Sequence, residues 1–443
     1  MRLHALIALI AVSGSAAANM EVHAHRSKVA GIDLITYQST VKDVVVIMGV
    51  LPAGDAMAGS GNIAIPTLSG MMLDRGTKAL DKFAIADKLE NVGAEISFAV
   101  GSQSLQIRAK CLKKDLPLIV GLIAAELRSP ALQSTEFVKA KQQMVGELEH
   151  SAQNTGARAL EAFDRAIFPA GHPNRPHTVS EYIVAAKSAN LEELKAFQAK
   201  FYGPAHMTLV VAGDVADADT QAEVAKAFSG WSGGQDYIRP AKPAQAAVAS
   251  EEVTVPLADK PSVSVLLGQA SGLKYSDPDS LALRVGTAIL GSGFTGRLMS
   301  TVRDKEGLTY GIGASMGDDS IVDGAWNINA SFAPALLSKG VAATRRELDK
   351  WWSEGVTDQE LAARKQGITG SYFVGLSTTS GLAGTILLNA QRGYDPSWLD
   401  DYPKAVKALT RAEVNAAIKA RLNPSTMVLV EAGSAAAGGS GAR

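Results

Sequence analysis

The chain holds one cysteine, Cys111, among 443 residues, which excludes an intrachain disulfide and any fold stapled by them. Aromatic residues make up only 6% of the sequence, and 43 Lys and Arg nearly cancel 44 Asp and Glu. That balance lacks the basic excess of a nucleic-acid-binding surface. No Gly-x-Ser-x-Gly lies between a strand and a helix, so a nucleophile elbow is absent. Gly291-Ser292-Gly293-Phe294-Thr295-Gly296 lacks the lysine of a phosphate loop and the spacing of a dinucleotide fingerprint.

What is present begins with Met1-Arg2, an apolar run from Leu6 to Val12, and small residues over Ser15-Ala16-Ala17-Ala18. This order predicts a secretory signal peptide over 1–18, too short to anchor a bilayer. Cys111 lies far from it, which argues against a lipid-anchored cysteine. A periplasmic protein is expected, in preference to one secreted further. The length exceeds what a single core usually fills, so two or more domains are expected.

Ile32–Tyr37 and Val44–Val50 read as strands, and Gly61–Leu73 and Lys82–Asn91 as helices. Gly93–Ala99 and Ser104–Ala109 read as a hairpin, followed by helices over Leu116–Leu127, Thr135–Ser151 and Leu191–Tyr202, then a strand over His206–Ala212. His23, His25 and Arg26 look like a loose polar start, and Ser232 to Ser250, rich in small residues and proline, like a linker. The pattern then repeats. Asn190 with Glu193 and Thr410 with Glu413 form capping boxes, each opening a helix that runs into an apolar strand ending Ala-Gly. Leu89–Ile96 aligns with Arg303–Tyr310 across the same repeat. The expected fold is α+β: two homologous domains, each a mostly antiparallel sheet covered by helices, at 19–231 and 251–433. A linker at 232–250 and a flexible Ala/Gly-rich tail at 434–443 complete the chain.

Arg297 to Ala314 carries the clearest chemistry. Leu298, Met299 and Val302 can share one helical face, Gly307 suits a left-handed helix end, and Leu308–Gly313 reads as a strand. A tight reversal can thus bring Arg303 and Tyr310 together. Both are hydrogen-bond donors near pH 7, suited to a carbonyl oxygen that gains negative charge. Such pairs are also common as solvated surface residues.

Arg-Asp-Lys-Glu-Gly-Leu-Thr-Tyr-Gly resembles the Arg/Tyr segment of the pitrilysin/insulinase-like zinc peptidases, which include the mitochondrial processing peptidase. The resemblance implies one half of a clamshell peptidase chamber, in which Arg303 and Tyr310 contact substrate near the scissile bond. It makes Gly291, Gly293, Gly296 and Gly307 candidates for a substrate loop. The family's zinc half carries His-x-x-Glu-His on a helix with a distant Glu as a further ligand. Here Thr67 and Met71 stand at the two His positions, Gly70 at the Glu position, and Glu147 near the distal ligand. The resemblance therefore implies no metal or cofactor bound by this chain, and zinc in a homologous partner subunit. Glu147 and His150, with His172 and His177, offer no convergent substitute site. The implied function is the non-zinc subunit of a heterodimeric zinc metalloendopeptidase acting on peptide or unfolded protein. The alternative is a structural or peptide-binding homologue without peptidase activity.

Overall fold

The computed structural model describes residues 20–235, 243–244 and 250–434, and among them the chain runs twice through one order of elements. In the first half β1 (Ala24–Val29), β2 (Ile32–Gln38) and β3 (Val44–Leu51) precede helices α1 (Ile65–Met71) and α2 (Lys82–Glu90). The hairpin β4 (Glu95–Val100) and β5 (Leu105–Leu112) follows. Helices α3 (Leu116–Arg128), α4 (Ser134–Ser151), α5 (Thr155–Ile167), α6 (Val179–Ser188) and α7 (Leu191–Phe201) lead to β6 (Thr208–Gly213) and α8 (Asp217–Phe228). The second half has β7 (Glu252–Pro256), β8 (Val263–Ala270), α9 (Ser280–Gly291), a π-helical segment Met299–Lys305, β9 (Thr309–Gly317) and β10 (Ala325–Phe332). It ends with α10 (Leu337–Glu354), α11 (Asp358–Leu376), α12 (Thr379–Gln391), α13 (Trp398–Ala408), α14 (Arg411–Arg421) and β11 (Val428–Gly433).

The duplication is visible in the sheets. Their orders are β1-β2-β6-β3-β5-β4 and β7-β11-β8-β10-β9. Without β1 the two match strand for strand. In each, the last strand runs parallel to one neighbour, β6 to β2 and β11 to β7, while the other pairs are antiparallel. Both expected capping boxes form, Asn190 with Glu193 and Thr410 with Glu413, and they open the equivalent helices α7 and α14.

Each sheet packs one face on helices of its own half, where Leu68, Ile107 and Ile123 centre the first core and Leu283, Trp326 and Ile418 the second. The opposite faces are covered reciprocally. On α12 of the second half, Leu382, Ala383 and Ile386 pack on Ile35, Val46 and Val210 of the first sheet. On α5 of the first half, Ala159, Phe163 and Ile167, spaced by four, form a stripe against Leu266, Val428 and Val430 of the second sheet. Strands buried on both faces need near-continuous apolar runs, which is why β3, β6 and β8 lack a clean alternation.

A loop after α5 fastens the halves. His172 Nε2–H donates to Asp323 Oδ1 at 3.0 Å, while its Nδ1 accepts from the Asn174 amide at 3.1 Å, which sets the tautomer. The ring stacks on Phe168 at 4.5 Å. Asn174 Nδ2 donates to the carbonyls of Asp318 and Asp323. His172 is thus a buried link between halves.

The structure corrects two expectations. The polar start at His23, His25 and Arg26 is no loose tail: His25 pairs with Thr36 inside the edge strand β1. Arg26 is held there by both carboxylate oxygens of Asp33, at 2.9 and 2.8 Å, and by Asp395 at 3.1 Å. Second, the 232–250 linker is fastened at Ala244, which is buried and donates its amide to Asp323 Oδ2 at 2.8 Å. The rest of that linker, except Ser232–Gln235 (232–235), Pro243 and Ser250, lies outside the described residues, as do the signal peptide at 1–18 and the tail after Ser434.

Reciprocal cover predicts that the halves unfold together. Phe163→Ala, which empties a fully buried site between α5 and the second sheet, should cost about 3–5 kcal/mol. Urea unfolding followed by far-UV circular dichroism should show a single transition moving to lower urea. Two separated transitions, with only one shifted, would contradict the interlock.

Candidate functional site

The Arg303 segment is a π-helix where an α-helix was expected. The Glu306 amide reaches back five residues to the Thr301 carbonyl at 3.0 Å. Leu308 reaches six residues back to Val302 and Gly307 four back to Arg303, at 3.0 and 2.9 Å. The equivalent turn in the first half is ordinary: Ala94 bonds Leu89, five back, and Gly93 bonds Glu90, three back. The second copy is wider by one residue, a change that often accompanies function. Leu298, Met299 and Val302 are buried as expected, and Gly307 turns the chain at φ 64°, a left-handed position that favours glycine.

This turn sets Arg303 beside the first residues of β9, an edge strand bonded only to β10. The Arg303 guanidinium carbon lies 5.4 Å from the centre of the Tyr310 ring and 5.2 Å from that of Phe294. Both rings stand in solvent, Tyr310 89% and Phe294 73% exposed. Stacking contacts of this kind are worth about 0.5–1 kcal/mol at exposed sites, enough to bias where the guanidinium sits. The carboxylate nearest Arg303 is Asp304, at 3.9 Å. Neither the guanidinium nor the Tyr310 hydroxyl has a hydrogen-bond partner among the described residues. Two donors are therefore held side by side with their bonding capacity unspent.

Phe294 was not picked out from sequence, although an aromatic residue inside a run of glycines was a signal. The base of the π-helix is fixed by Arg297, which donates to Glu360 Oε1 at 2.6 Å and Oε2 at 2.8 Å. That fork, with hydrogen bonds from Thr357, holds the Glu360 carboxyl down to about 2 despite partial burial.

The candidate glycines separate. Gly291 is no loop residue: it ends α9, and a Cβ there would lie 2.2 Å from the Ala314 amide nitrogen, so it permits α9 to lie on β9. Gly293 is the loop tip, with open space around it, and Gly296 packs back on Gly291. Gly291 and Gly293 line a groove of about 760 Å³ beside β9, which Gly296 and Gly307 do not.

The degenerate zinc positions are built into the core. Thr67 Oγ donates to Asp55 Oδ1 at 2.9 Å, and the Tyr182 hydroxyl donates to Asp55 Oδ2 at 3.3 Å. Burial pushes the Asp55 carboxyl up to about 6, against the pull of these two bonds. Gly70 lies under β4, where a Cβ would meet Val100 Cγ2 at 2.5 Å. Met71 packs against the first core, and Glu147, exposed, accepts from Gln143 at 3.0 Å. Among the described residues no three His, Cys, Asp or Glu gather as a metal site.

Residues 188–368 match the family model described as the peptidase M16 inactive domain. The chain is 24% identical to an uncharacterized zinc protease of Streptomyces coelicolor, over 78% of this chain and 75% of the other. It is 24% identical to a non-peptidase homolog of Helicobacter pylori, over 85% and 86%. The beta subunit of the Caenorhabditis elegans mitochondrial-processing peptidase matches at 22%, over 50% and 47%. A crystal structure of a peptidase M16 inactive domain from Pseudomonas fluorescens superposes with a TM-score of 0.85 at 24% identity, covering 93% of this chain and 98% of that one. Residues 188–368 thus match the inactive domain of the M16 peptidases, and the chain shares the fold of a solved domain of that description.

Two outcomes follow for the degenerate helix. Gly70→Glu should cost about 1–3 kcal/mol by overpacking against Val100, and Val100→Ala should recover part of that loss. A double-mutant cycle in urea checks this; strictly additive costs would contradict it. Asp55 holds its proton more tightly folded, near 6, than at its ordinary value of 3.8. Its contribution to stability is thus full below about pH 4 and lost as pH rises through about 6. Asp55→Asn should therefore gain in melting temperature relative to the native chain as pH goes from 4 to 7. A difference independent of pH would contradict the assignment.

Proposed function

We propose that this chain is the non-zinc subunit of a two-chain zinc endopeptidase, contributing Arg303 and Tyr310 to a site that a homologous partner completes. One observation carries the reading: two unsatisfied donors stand together at an open strand edge, while the positions of the zinc motif are filled by Thr67, Gly70 and Met71. A purely structural homologue has no need to leave a part-buried Arg303 and an exposed Tyr310 both without a hydrogen-bond partner among the described residues. The kinship with a processing-peptidase subunit supports a paired arrangement.

On this reading a peptide lies along the free edge of β9, whose backbone groups can extend the sheet by one strand. A homologous partner's His-x-x-Glu-His would hold the zinc, which would supply an activated water and polarise the scissile carbonyl. The Tyr310 hydroxyl donates to the carbonyl oxygen as negative charge grows on it. Arg303, kept in place by Phe294 and Tyr310, binds that oxygen or the neighbouring substrate carbonyl. A donor used mainly in the transition state acts on turnover more than on binding. On the same reading the leader-like residues 1–18 support export of this chain to the periplasm.

The name of the Helicobacter pylori relative, a non-peptidase homolog, favours a second reading, a structural or peptide-binding homologue without peptidase activity. Kinetics of the chain assembled with its zinc-bearing partner separate the two. Tyr310→Phe should lower kcat roughly ten- to a thousandfold, the range for losing one oxyanion donor, with little change in KM. Arg303→Ala should impair both. Full turnover by an assembled Tyr310→Phe pair would overturn the catalytic role and leave the binding reading.

A further inference from the structure

The face of the second sheet that α5 covers is only partly covered. Over β9 and β10 it stays open, and there lies the groove of about 760 Å³. Strand alternation decides its floor. Ile312, Ala314, Ile328 and Ala330 point into the core, so Gly311, Gly313 and Ser315 of β9 and Asn327, Asn329 and Ser331 of β10 face the groove. They stand in register: Gly311 opposite Ser331, Gly313 opposite Asn329, Ser315 opposite Asn327. Leu160 on α5, 48% exposed, forms one wall, and Phe294, which also touches Arg303, forms the other.

Among the described residues, none that lines this groove is Asp, Glu, Lys, Arg or His. The fold does not require that neutrality. In the first sheet the equivalent positions pair Ser97 with Arg108 and Ala99 with Gln106, and Glu95 stands opposite Lys110 one step beyond, against Gly311–Ser331 and Gly313–Asn329 in the second. The position that holds Arg108 in one copy is thus held by Ser331 in the other.

We propose that this groove receives an extended, uncharged stretch of the substrate peptide, with small or apolar side chains, and rejects charged ones. This deepens the proposed function and rests on it, since it takes the ligand to be a peptide. Glycines at 311 and 313 let a second backbone approach, and the Asn and Ser side chains can both donate to and accept from its amides. A charged side chain would lose water there with no opposite charge to meet it. Phe294 joins the groove to Arg303, so a peptide seated in it leads toward the reacting carbonyl. Selection is then by absence of charge over several residues, which suits unfolded segments of varied sequence.

The test uses the purified chain without partner and measures fluorescence anisotropy of labelled decapeptides. One is built of Gly, Ala, Ser, Val and Leu; others carry Lys or Glu at three alternate positions. The uncharged peptide should bind at least tenfold more tightly than either charged one. Asn329→Asp, at an exposed position where the fold is not at stake, should weaken the uncharged peptide at least tenfold and favour the Lys peptide. Arg108→Ser, on the charged face of the first sheet, should change nothing. Equal binding of all peptides, or an Asn329→Asp chain that binds like the native one, would overturn the proposal. This measurement involves no turnover: loss of discrimination sinks the groove and leaves Arg303 and Tyr310 untouched. A Tyr310→Phe pair at full turnover sinks the chemistry and leaves the discrimination standing.

Discussion

Each half of this chain builds a sheet whose central strands are apolar on both faces but packs its own helices on only one of them. The unmet face is the constraint on which the architecture depends. Exposed, it would be an apolar patch of a size that soluble chains avoid. The solution is an exchange: α5 crosses to the second sheet and α12 to the first. The His172–Asp323 link and the anchored Ala244 lie at the same seam. Two domains by descent therefore behave as one body, and loops at their edges are held at defined places.

That rigidity is what gives the Arg303 region meaning. The duplicated copies share helix, left-handed glycine and edge strand, with Gly93 at φ 61° and Gly307 at φ 64°. In the first copy the positions of Arg303 and Tyr310 are Leu89 and Ile96, partly buried on the core. In the second, the helix is one residue wider and the same positions hold two donors, Arg303 part-buried and Tyr310 exposed. On the proposed function, chemistry is grafted on a repeated frame by a few substitutions and one widened turn. The zinc-motif helix shows the opposite outcome, since Gly70 and Thr67 have been absorbed by packing and by the Asp55 hydrogen bonds.

Much of this was legible in the sequence because its signals are local. Capping boxes, the glycine turn and the apolar stripes depend on neighbours three or four residues apart, and they placed α7, α14 and the Arg303–Tyr310 reversal. What stayed hidden depends on distant partners. The Thr155–Ile167 helix finds its apolar partner in the other half, so no local pattern says what it covers. Gly291 looked like loop because glycine signals a turn and a close packing contact alike. Strand β1 looked like a tail because its Arg26 is neutralised by Asp33 and by Asp395, which lies far along the chain.

The central claim is that Tyr310 donates to an oxygen that carries charge only in the transition state. A phosphinic peptide, whose tetrahedral anionic phosphorus centre mimics that state, reads this directly as an inhibitor of the assembled pair. The account predicts that Tyr310→Phe weakens this inhibitor by the same factor by which it lowers kcat/KM, while a plain substrate-like peptide keeps its affinity. An inhibition constant unchanged by Tyr310→Phe would contradict it.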